Sequence, residues 1–376
     1  MKLNKLVASF CVGASLLLGG VSSVQARELK LAVGLPPSHA TNQGLEVFAK
    51  TLKEKTNGEL EVKTFALSLL SLTQMLAGVR DGVVDIGYVA VPLFPADLPE
   101  VQLPVDLAML GVNGYAMAGA MTEYNFTCQE CLAERLKQNN VYLGSASTAT
   151  YMILATKKIT TLDELKGKKL RSGAAPWSRW ASHMGVVAAT IPGSEVFEAV
   201  NQGTVDGAMM LATDLAGLRL IDVVKHVTVG MPGGTYHGQD ITNVNRTTWR
   251  SLTESQRRAF LDSAAVGAAA ITWRVVSDTE RSIKEAQAKG IQVHQPAADA
   301  VARSKAFVDA DLATVAQDAE KKHGIKNAAQ KIARFRQLVE KWEKLTPANV
   351  NWEPGALAEI YRREIYSKID AKTYGM

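Results

Sequence analysis

The chain lacks the short motifs with which many enzymes bind nucleotides or present a nucleophile. It has no Gly-x-x-x-x-Gly-Lys-[Ser/Thr] phosphate loop, so nothing in it points to nucleotide-driven work. It also has no Gly-x-Ser-x-Gly elbow and no His-Glu-x-x-His zinc helix. These absences leave an enzyme without positive support, and we predict no cofactor and no metal site. The histidines are scattered singly, at His39, His183, His226, His237, His294 and His323.

An excess of one charge is also missing. The 42 lysines and arginines against 37 acidic residues leave a formal charge of +5 over 376 residues. That balance is too mild to predict nucleic acid or an anionic membrane surface as a partner. After residue 26, no segment reaches the roughly 18 uninterrupted apolar residues of a transmembrane helix. The chain length predicts about two domains.

The N-terminal segment has the layout of a cleavable secretory signal. Lys2 and Lys5 precede the apolar run LVASFCVGASLLLGG, and small residues follow as far as Ala26. The apolar run is too short for a membrane span. We therefore expect residues 1–26 to be removed, and the mature protein to begin at Arg27 in a bacterial periplasm.

Cysteine is scarce, since only Cys128 and Cys131 lie beyond the predicted signal. In an oxidising compartment, their spacing favours a disulfide that fixes one local loop. A redox-active dithiol and half of a zinc site are the alternatives. The scattered histidines argue against zinc, and the helix–loop–helix surroundings are unlike those of a thioredoxin-type motif.

Two stretches alternate between strand and helix patterns. In the first, LKLAVGL (29–35), LEVKTF (60–65) and VDIGYVA (84–90) are predicted strands with helices between them. In the second, strands are predicted over 169–173, 186–191 and 204–210. Both stretches also carry the motif Val-x-x-Gly-x-Val-Asp, as VRDGVVD (79–85) and VNQGTVD (200–206). In each, the glycine ends a predicted helix and the aspartate lies in the strand that follows. This pattern predicts two similar α/β lobes, with a ligand cleft at the carboxyl ends of their strands.

The last third of the chain is mostly helical in pattern. A long helix is predicted over 253–288, a strand over 290–295, and helices over 303–320 and 327–343. The tail YRREIYSKIDAKTYGM is amphipathic and basic. It has two interpretations, a helix packed back on the body or a homodimer contact.

One arginine has an unusual setting. In LKGKKLRSGAAPW (165–177), Arg171 ends a predicted strand and is followed by a turn of small residues. An arginine on a solvated face needs no such turn. An arginine that reaches an anion in a cleft benefits from small neighbours, and its planar guanidinium can offer two parallel donors to a carboxylate.

Over residues 29–290, the chain resembles the substrate-binding proteins of tripartite ATP-independent periplasmic (TRAP) transporters, the dicarboxylate-binding-protein family. The pairing of LDELKGKKLRSG with SEVFEAVNQGTVDG is specific, and the other matching segments support it. The matching segments are 47–65, 78–89, 162–173, 194–207 and 245–252.

The resemblance implies an α/β, two-lobed periplasmic binding protein fold with crossing strands and a long connecting helix. It implies a first lobe of residues 27–150, to which 238–285 return, and a second lobe of 151–237, to which 286–325 return. Residues 326–376 would form a helical extension. The implied partners are a small organic acid and the TRAP membrane subunits, which use an ion gradient.

In that family, the arginine of the Lys-[Ile/Leu]-Arg motif clamps the ligand carboxylate, and here it is Arg171. Tyr151 stands where some sugar-acid binders carry a second arginine, and Ala208–Met210 replace their polar Gln-Glu-Asn. The pocket is therefore expected to be apolar. The candidate ligand contacts are Arg171, Tyr88, Tyr151, Trp177, Met209, Met210, His39 and His237.

Several of these candidates have a second interpretation. Trp177 could stack on an aromatic ligand or pack inside the lobe, and the two methionines are at least as often core residues. An apolar pocket predicts an aromatic or aliphatic monocarboxylate, such as a 2-oxo acid, because buried hydroxyl groups without partners are costly. A C4 dicarboxylate binder, a ligand-sensing subunit and a periplasmic enzyme remain alternatives.

Overall fold

A computed structural model of the chain describes residues 26–376. The predicted signal peptide therefore lies outside the described residues, apart from Ala26. Short strands alternate with helices through the first two thirds of the described chain. The strands are β1 Arg27–Ala32, β2 Leu60–Phe65, β3 Ile86–Ala90, β4 Asn140–Tyr142, β5 Ser145–Ala146, β6 Thr150–Ala155, β7 Lys169–Ser172, β8 Val187–Thr190, β9 Gly207–Met210, β10 His226–Thr235, β11 Gln239–Asn245 and β12 Gln292–His294.

Helices cover both sheets and make up nearly all of the C-terminal region. They are α1 Ala40–Lys55, α2 Met75–Arg80, α3 Pro99–Val105, α4 Gly114–Thr127, α5 Gln129–Lys137, α6 Leu162–Leu165, α7 Ala175–His183, α8 Val196–Asn201, α9 Asp214–Gly217, α10 Arg246–Ser251, α11 Glu254–Ala288, α12 Ala298–His323, α13 Ala328–Leu345 and α14 Pro354–Glu364.

The strands form two six-stranded sheets, as the two-lobe prediction requires. The first sheet has the order β2-β1-β3-β11-β4, with β5 also paired to β11, and the second has the order β12-β10-β6-β9-β7-β8. The strands predicted from the alternating pattern are parallel to one another, β1 with β2 and β3, and β7 with β8 and β9. The returning strands β11 and β6 pair antiparallel, so both sheets are mixed.

The repeated Val-x-x-Gly-x-Val-Asp motif has the same structure in both lobes. Gly82 and Gly203 follow α2 and α8 with φ of +75° and +70°, a left-handed conformation that favours glycine at the end of a helix. The aspartate carboxylates then accept backbone N–H groups of the neighbouring strand: Asp85 from Lys30 at 2.9 Å and Asp206 from Lys169 at 2.8 Å. The two copies of the motif therefore make the same hydrogen bond, from a strand N–H to the motif aspartate.

Two chain crossings join the lobes, one between β5 and β6 and the other between β10 and β11. The crossings are hydrogen-bonded to each other, because Tyr236 N donates to Thr148 Oγ1 at 2.9 Å and Thr148 N donates to the Tyr236 carbonyl at 3.1 Å. The long helix α11 contributes Phe260 to the first-lobe core and Ala286 to the second. By length and composition α11 could cross a membrane, but 72% of its most apolar window is buried, as in a core helix.

The C-terminal helices pack on the body of the chain. Phe335 and Trp342 of α13 and Tyr361 of α14 are buried in the first-lobe core. The tail therefore forms an internal contact, and the apolar face of α14 is not free to meet a second copy. The homodimer contact considered from the sequence has no support here. The division of the chain at residues 150 and 237 stays a proposal.

The cysteine pair forms a disulfide at the junction of α4 and α5. This confirms the interpretation as a local crosslink. One helical turn further, Arg135 donates to the Asp240 carboxylate at 2.6 Å and lies over the Tyr142 ring. Because both charged side chains are buried, this ion pair ties α5 to β11 from inside the first lobe.

Candidate functional site

Strand pairing brings several predicted site residues to one edge of the second sheet. Arg171 near the end of β7 is in register with Ala208 of β9, and Met152 of β6 pairs with Met210. Because β6 runs antiparallel to β9, its first residues meet the end of β9. Tyr151, Arg171 and the segment after Met210 therefore share this edge, which faces the crossings between the lobes.

Arg171 is buried, with only 6% of its surface exposed. Its Nε donates to the Ile191 carbonyl at 2.8 Å, and no acidic side chain of the described residues lies within 4.0 Å of the guanidinium. Burial lowers its pKa from the ordinary arginine value. A buried cation with no ion-pair partner is costly unless an anion comes to it. The arrangement is suited to clamping a carboxylate.

The small residues after Arg171 have a steric purpose. A Cβ atom placed on Gly173 would lie 2.9 Å from Nη1 of Arg171 and 3.1 Å from Nη2. Such contacts are too short, so any side chain at position 173 would displace the guanidinium. The turn of small residues therefore clears the space that the donor groups occupy.

Tyr151 and Trp177 form a stacked pair. Their ring centroids lie 4.1 Å apart with an interplanar angle of 17°. The indole N–H of Trp177 donates to the Gly233 carbonyl at 3.0 Å, and the side chain is only 1% exposed. Tyr151 therefore covers one face of the Trp177 ring, and Trp177 packs as a platform under the Tyr151 ring.

Tyrosines from both lobes surround the same region. The Tyr88 hydroxyl, on β3 of the first lobe, donates to Gln239 Oε1 at 3.3 Å. Tyr236 lies in the crossing between β10 and β11, and its hydroxyl donates to the Gly238 carbonyl at 3.3 Å. Burial raises the pKa of Tyr236, and Tyr88, Tyr151 and Arg171 are near enough to influence it. Tyr236 was not among the sequence candidates, although it lies in the Gly- and aromatic-rich stretch GGTYHG.

A buried carboxyl group was also missed. Asp214 follows β9 by a short loop, is 8% exposed, and accepts the Leu211 N–H through Oδ2 at 3.1 Å. Burial raises its pKa to about 6, while the Leu211 hydrogen bond and the nearby Arg171 act in the opposite direction. Its only sequence signal is one aspartate after a strand, which is weak by itself.

The two methionines point to opposite faces of the second sheet. Met209 is packed in the core that contains Tyr151 and Trp177, whereas Met210 is packed in the core on the other face with Val196. Successive residues of a strand alternate between faces, so the two cannot line one wall together. Both are buried core residues here, which is the second interpretation given above.

The two candidate histidines have structural contacts. His39 is half-buried at the start of α1, where Nδ1 accepts the Thr41 N–H at 3.2 Å, and burial lowers its pKa to about 4. His237 is fully buried, with Nδ1 3.1 Å from the Thr235 carbonyl and Nε2 2.8 Å from the Pro104 carbonyl. Burial lowers the pKa of His237 as well. Since both ring nitrogens of His237 face backbone oxygens, its geometry gives no support to a ligand contact.

Among residues 26–376, no group of three or more histidine, cysteine, aspartate or glutamate side chains is arranged to hold a metal ion. The candidate site consists of the Arg171 guanidinium, one carboxyl group and three tyrosines. The carboxyl group belongs to Asp214, and the tyrosines are Tyr88, Tyr151 and Tyr236. Such a set can orient an anion through hydrogen bonds and enclose it between two lobes.

The fold and the site together define a two-lobed protein that encloses a small ligand. The model of bacterial extracellular solute-binding protein family 7 (DctP) matches residues 31–318, and the chain belongs to this family. A solute-binding protein of Verminephrobacter eiseniae is 26% identical over 273 residues, which cover 71% of this chain and 80% of that protein.

Two solved TRAP solute-binding proteins have the same fold. One, from Rhodoferax ferrireducens in complex with copurified benzoate, has a TM-score of 0.75 at 18% identity and covers 85% of this chain and 99% of its own. The other, from a marine metagenome and in complex with 3-hydroxybenzoate, has a TM-score of 0.74 at 20% identity, with the same coverages. At these identities, the likeness shows the fold and leaves the ligand open.

Proposed function

We propose that this protein captures an organic acid anion in the periplasm and delivers it to the membrane subunits of a TRAP transporter. Arg171 is the carboxylate clamp in this proposal. The observation that carries it is the buried guanidinium, which has one backbone hydrogen bond and no acidic partner within ion-pair distance among the described residues. An incoming carboxylate would supply the missing negative charge and accept two parallel N–H donors.

The surroundings of Arg171 favour a monocarboxylate with an aromatic or aliphatic body, including a 2-oxo acid. Tyr151 is an aromatic residue close enough to Arg171 to affect its pKa. The other side chains that affect the Arg171 pKa are Tyr236 and one acid, Asp214. A C4 dicarboxylate would need a second cation for its second carboxylate, whereas Asp214 would repel it. The aromatic acids in two structural neighbours agree with this ligand class.

A thermal-shift screen of organic acids tests the proposal. A ligand that binds only the folded state at a hundredfold over its dissociation constant should add about 2.7 kcal/mol to the free energy of unfolding. Arg171→Ala should abolish this stabilisation while the variant still unfolds cooperatively. The control is Arg281→Ala, because Arg281 is exposed on α11. Undiminished affinity of Arg171→Ala for the same acid would rule out the clamp.

A further inference from the structure

We propose that Asp214 selects among carboxylic acids by accepting a hydrogen bond from a hydroxyl or N–H group on the body of the ligand. This inference rests on the proposed function, since it assumes that the acid is held by Arg171. It names a second recognition group at the same site. The ligand class it predicts is a monocarboxylate that also carries a hydrogen-bond donor.

The loop after β9 fixes the direction of the Asp214 carboxylate. Oδ2 accepts the Leu211 N–H at 3.1 Å, and the Asp214 N–H donates to the Leu211 carbonyl at 3.2 Å. These two bonds fold the side chain back to the end of β9, the strand in which Ala208 is in register with Arg171 of β7. Oδ1 makes no hydrogen bond to the described residues, and no lysine or arginine of the described chain lies within 4.0 Å of the carboxylate.

The carboxylate of this buried residue is therefore fixed through Oδ2, while Oδ1 has no hydrogen bond to the described residues. Asp214 and Arg171 are near enough to influence each other's pKa, and Tyr151 is influenced by both. The pKa of Asp214, raised to about 6 by burial, leaves the group mostly ionised at neutral pH. An ionised carboxylate is an acceptor only, so its open oxygen calls for a donor.

The ligand supplies that donor in our proposal. An acid without one would place its own carboxylate near a second, unpaired carboxylate, which adds repulsion, and it would cover Oδ1 without giving it a hydrogen bond. A hydroxyl or N–H group on the ligand would remove both penalties. Sites built to hydrogen-bond a ligand group discriminate strongly against analogues that lack it. We therefore expect at least about tenfold weaker binding for the analogue without the donor.

Isothermal titration calorimetry at pH 7.5 with matched acids tests this inference. The probes are benzoate against its three monohydroxy isomers, and phenylacetate against mandelate. Wild-type protein should prefer at least one hydroxylated acid by about tenfold or more. Asp214→Asn keeps the shape and can still accept the Leu211 N–H, and it should reduce that preference to less than about threefold while leaving the unsubstituted acid bound.

Two further variants separate this inference from the proposed function. Asp214→Ser removes the charge in a smaller side chain and should give the same loss of preference if the asparagine variant folds poorly. Asp222→Asn, at an exposed acid of the same lobe, should leave the preference intact. Retention of the preference by both Asp214 variants, or its absence in the wild type, would overturn the inference. Failure of the clamp would appear differently, as unchanged affinities of Arg171→Ala for every acid.

Discussion

The ring of Tyr151 lies flat on the indole of Trp177, with 4.1 Å between the ring centroids, and the indole N–H is bound to the Gly233 carbonyl. A buried tryptophan on α7 thus packs against a tyrosine on β6 at the edge where Arg171 lies near the end of β7. Tyr151 has no hydrogen bond from its side chain to the described residues, so its ring is held by packing, of which the Trp177 stack is one part. We therefore propose that Trp177 positions Tyr151 for the site.

Trp177→Phe should weaken both folding and ligand binding. The substitution leaves the Gly233 carbonyl without its donor and reduces the surface on which Tyr151 rests, at a cost of about 1–3 kcal/mol in the free energy of unfolding. Urea unfolding and calorimetric titration with the best acid of the screen measure the two effects. The matched control is Trp342→Phe, since Trp342 is also buried and its N–H donates to Glu123, but it lies in the first-lobe core.

The control should lose stability without losing affinity. If Trp177→Phe behaves in the same way, with an unchanged dissociation constant, the tryptophan is only a core residue and Tyr151 does not depend on it.

The features that could be predicted from the sequence are those that depend on residues close together in the chain. The two α/β lobes, the turn after Arg171 and the disulfide follow from local spacing and periodicity, and the structure shows each of them. The opposite directions of Met209 and Met210 were also predictable, because alternation is a property of any strand. Met209 and Met210 therefore pack into different cores on the two faces of the second sheet.

Residues that depend on chain crossings could not be predicted in this way. Tyr236 and Asp214 reach the site only because β9 lies beside β7 and because the crossing after β10 passes between the lobes. Neither pairing is encoded in a short window of sequence. The contact between His237 and the Pro104 carbonyl is of the same kind, since it joins residues more than a hundred positions apart in the chain.

Gly173→Ala should lower ligand affinity more than stability. The added Cβ would lie 2.9 Å from Nη1 of Arg171, so the guanidinium must shift away from its present position. We expect about tenfold weaker binding, because a small misplacement of a two-donor clamp costs one of its hydrogen bonds. Calorimetric titration and thermal unfolding measure the change. Gly217→Ala is the control, since a Cβ at Gly217 meets no atom within 4 Å. Equal affinities for the two variants would mean that Arg171 adapts freely.

Arg179 links the two lobes outside the ligand site, and its loss should weaken ligand binding. From α7 it donates to both Asp311 carboxylate oxygens, at 2.7 and 2.9 Å, and its Nη2 also donates to the Asp106 carbonyl of the first lobe at 2.8 Å. Such charge-assisted bonds each contribute about 1.5–3 kcal/mol, so Arg179→Ala should raise the dissociation constant by about tenfold or more if they hold the lobes together.

The kinetics of release test this link more directly than the affinity. A weaker interlobe contact should speed ligand dissociation, which stopped-flow measurements report, while the preference among acids stays the same. Arg281→Ala again serves as the control, because among residues 26–376 Arg281 pairs only with exposed or partly exposed acids of its own helix. An unchanged dissociation rate in Arg179→Ala would show that the contact forms equally well in the open and closed forms.

Glu134 should make stability depend on pH. Burial raises its pKa from 4.5 to about 7, against the effect of the Glu100 and Val101 N–H groups that its carboxylate accepts. Between these pH values the folded state holds a proton that the unfolded state has released. The free energy of unfolding therefore falls as pH rises from about 4.5 to 7, by up to about 3 kcal/mol.

Glu134→Gln removes this titration, so the comparison of the two proteins isolates it from all other groups. Near pH 4.5 the wild-type carboxyl is protonated, and the two unfolding free energies should differ little. At pH 8 the wild type carries the buried charge and should be less stable relative to the variant than it is at pH 4.5. Glu164→Gln should show the opposite sign, because hydrogen bonds from Thr160 lower the Glu164 pKa and its stabilisation is lost as pH falls. Parallel stability curves for wild type and Glu134→Gln would mean that the two N–H donors fully offset the burial of this carboxylate.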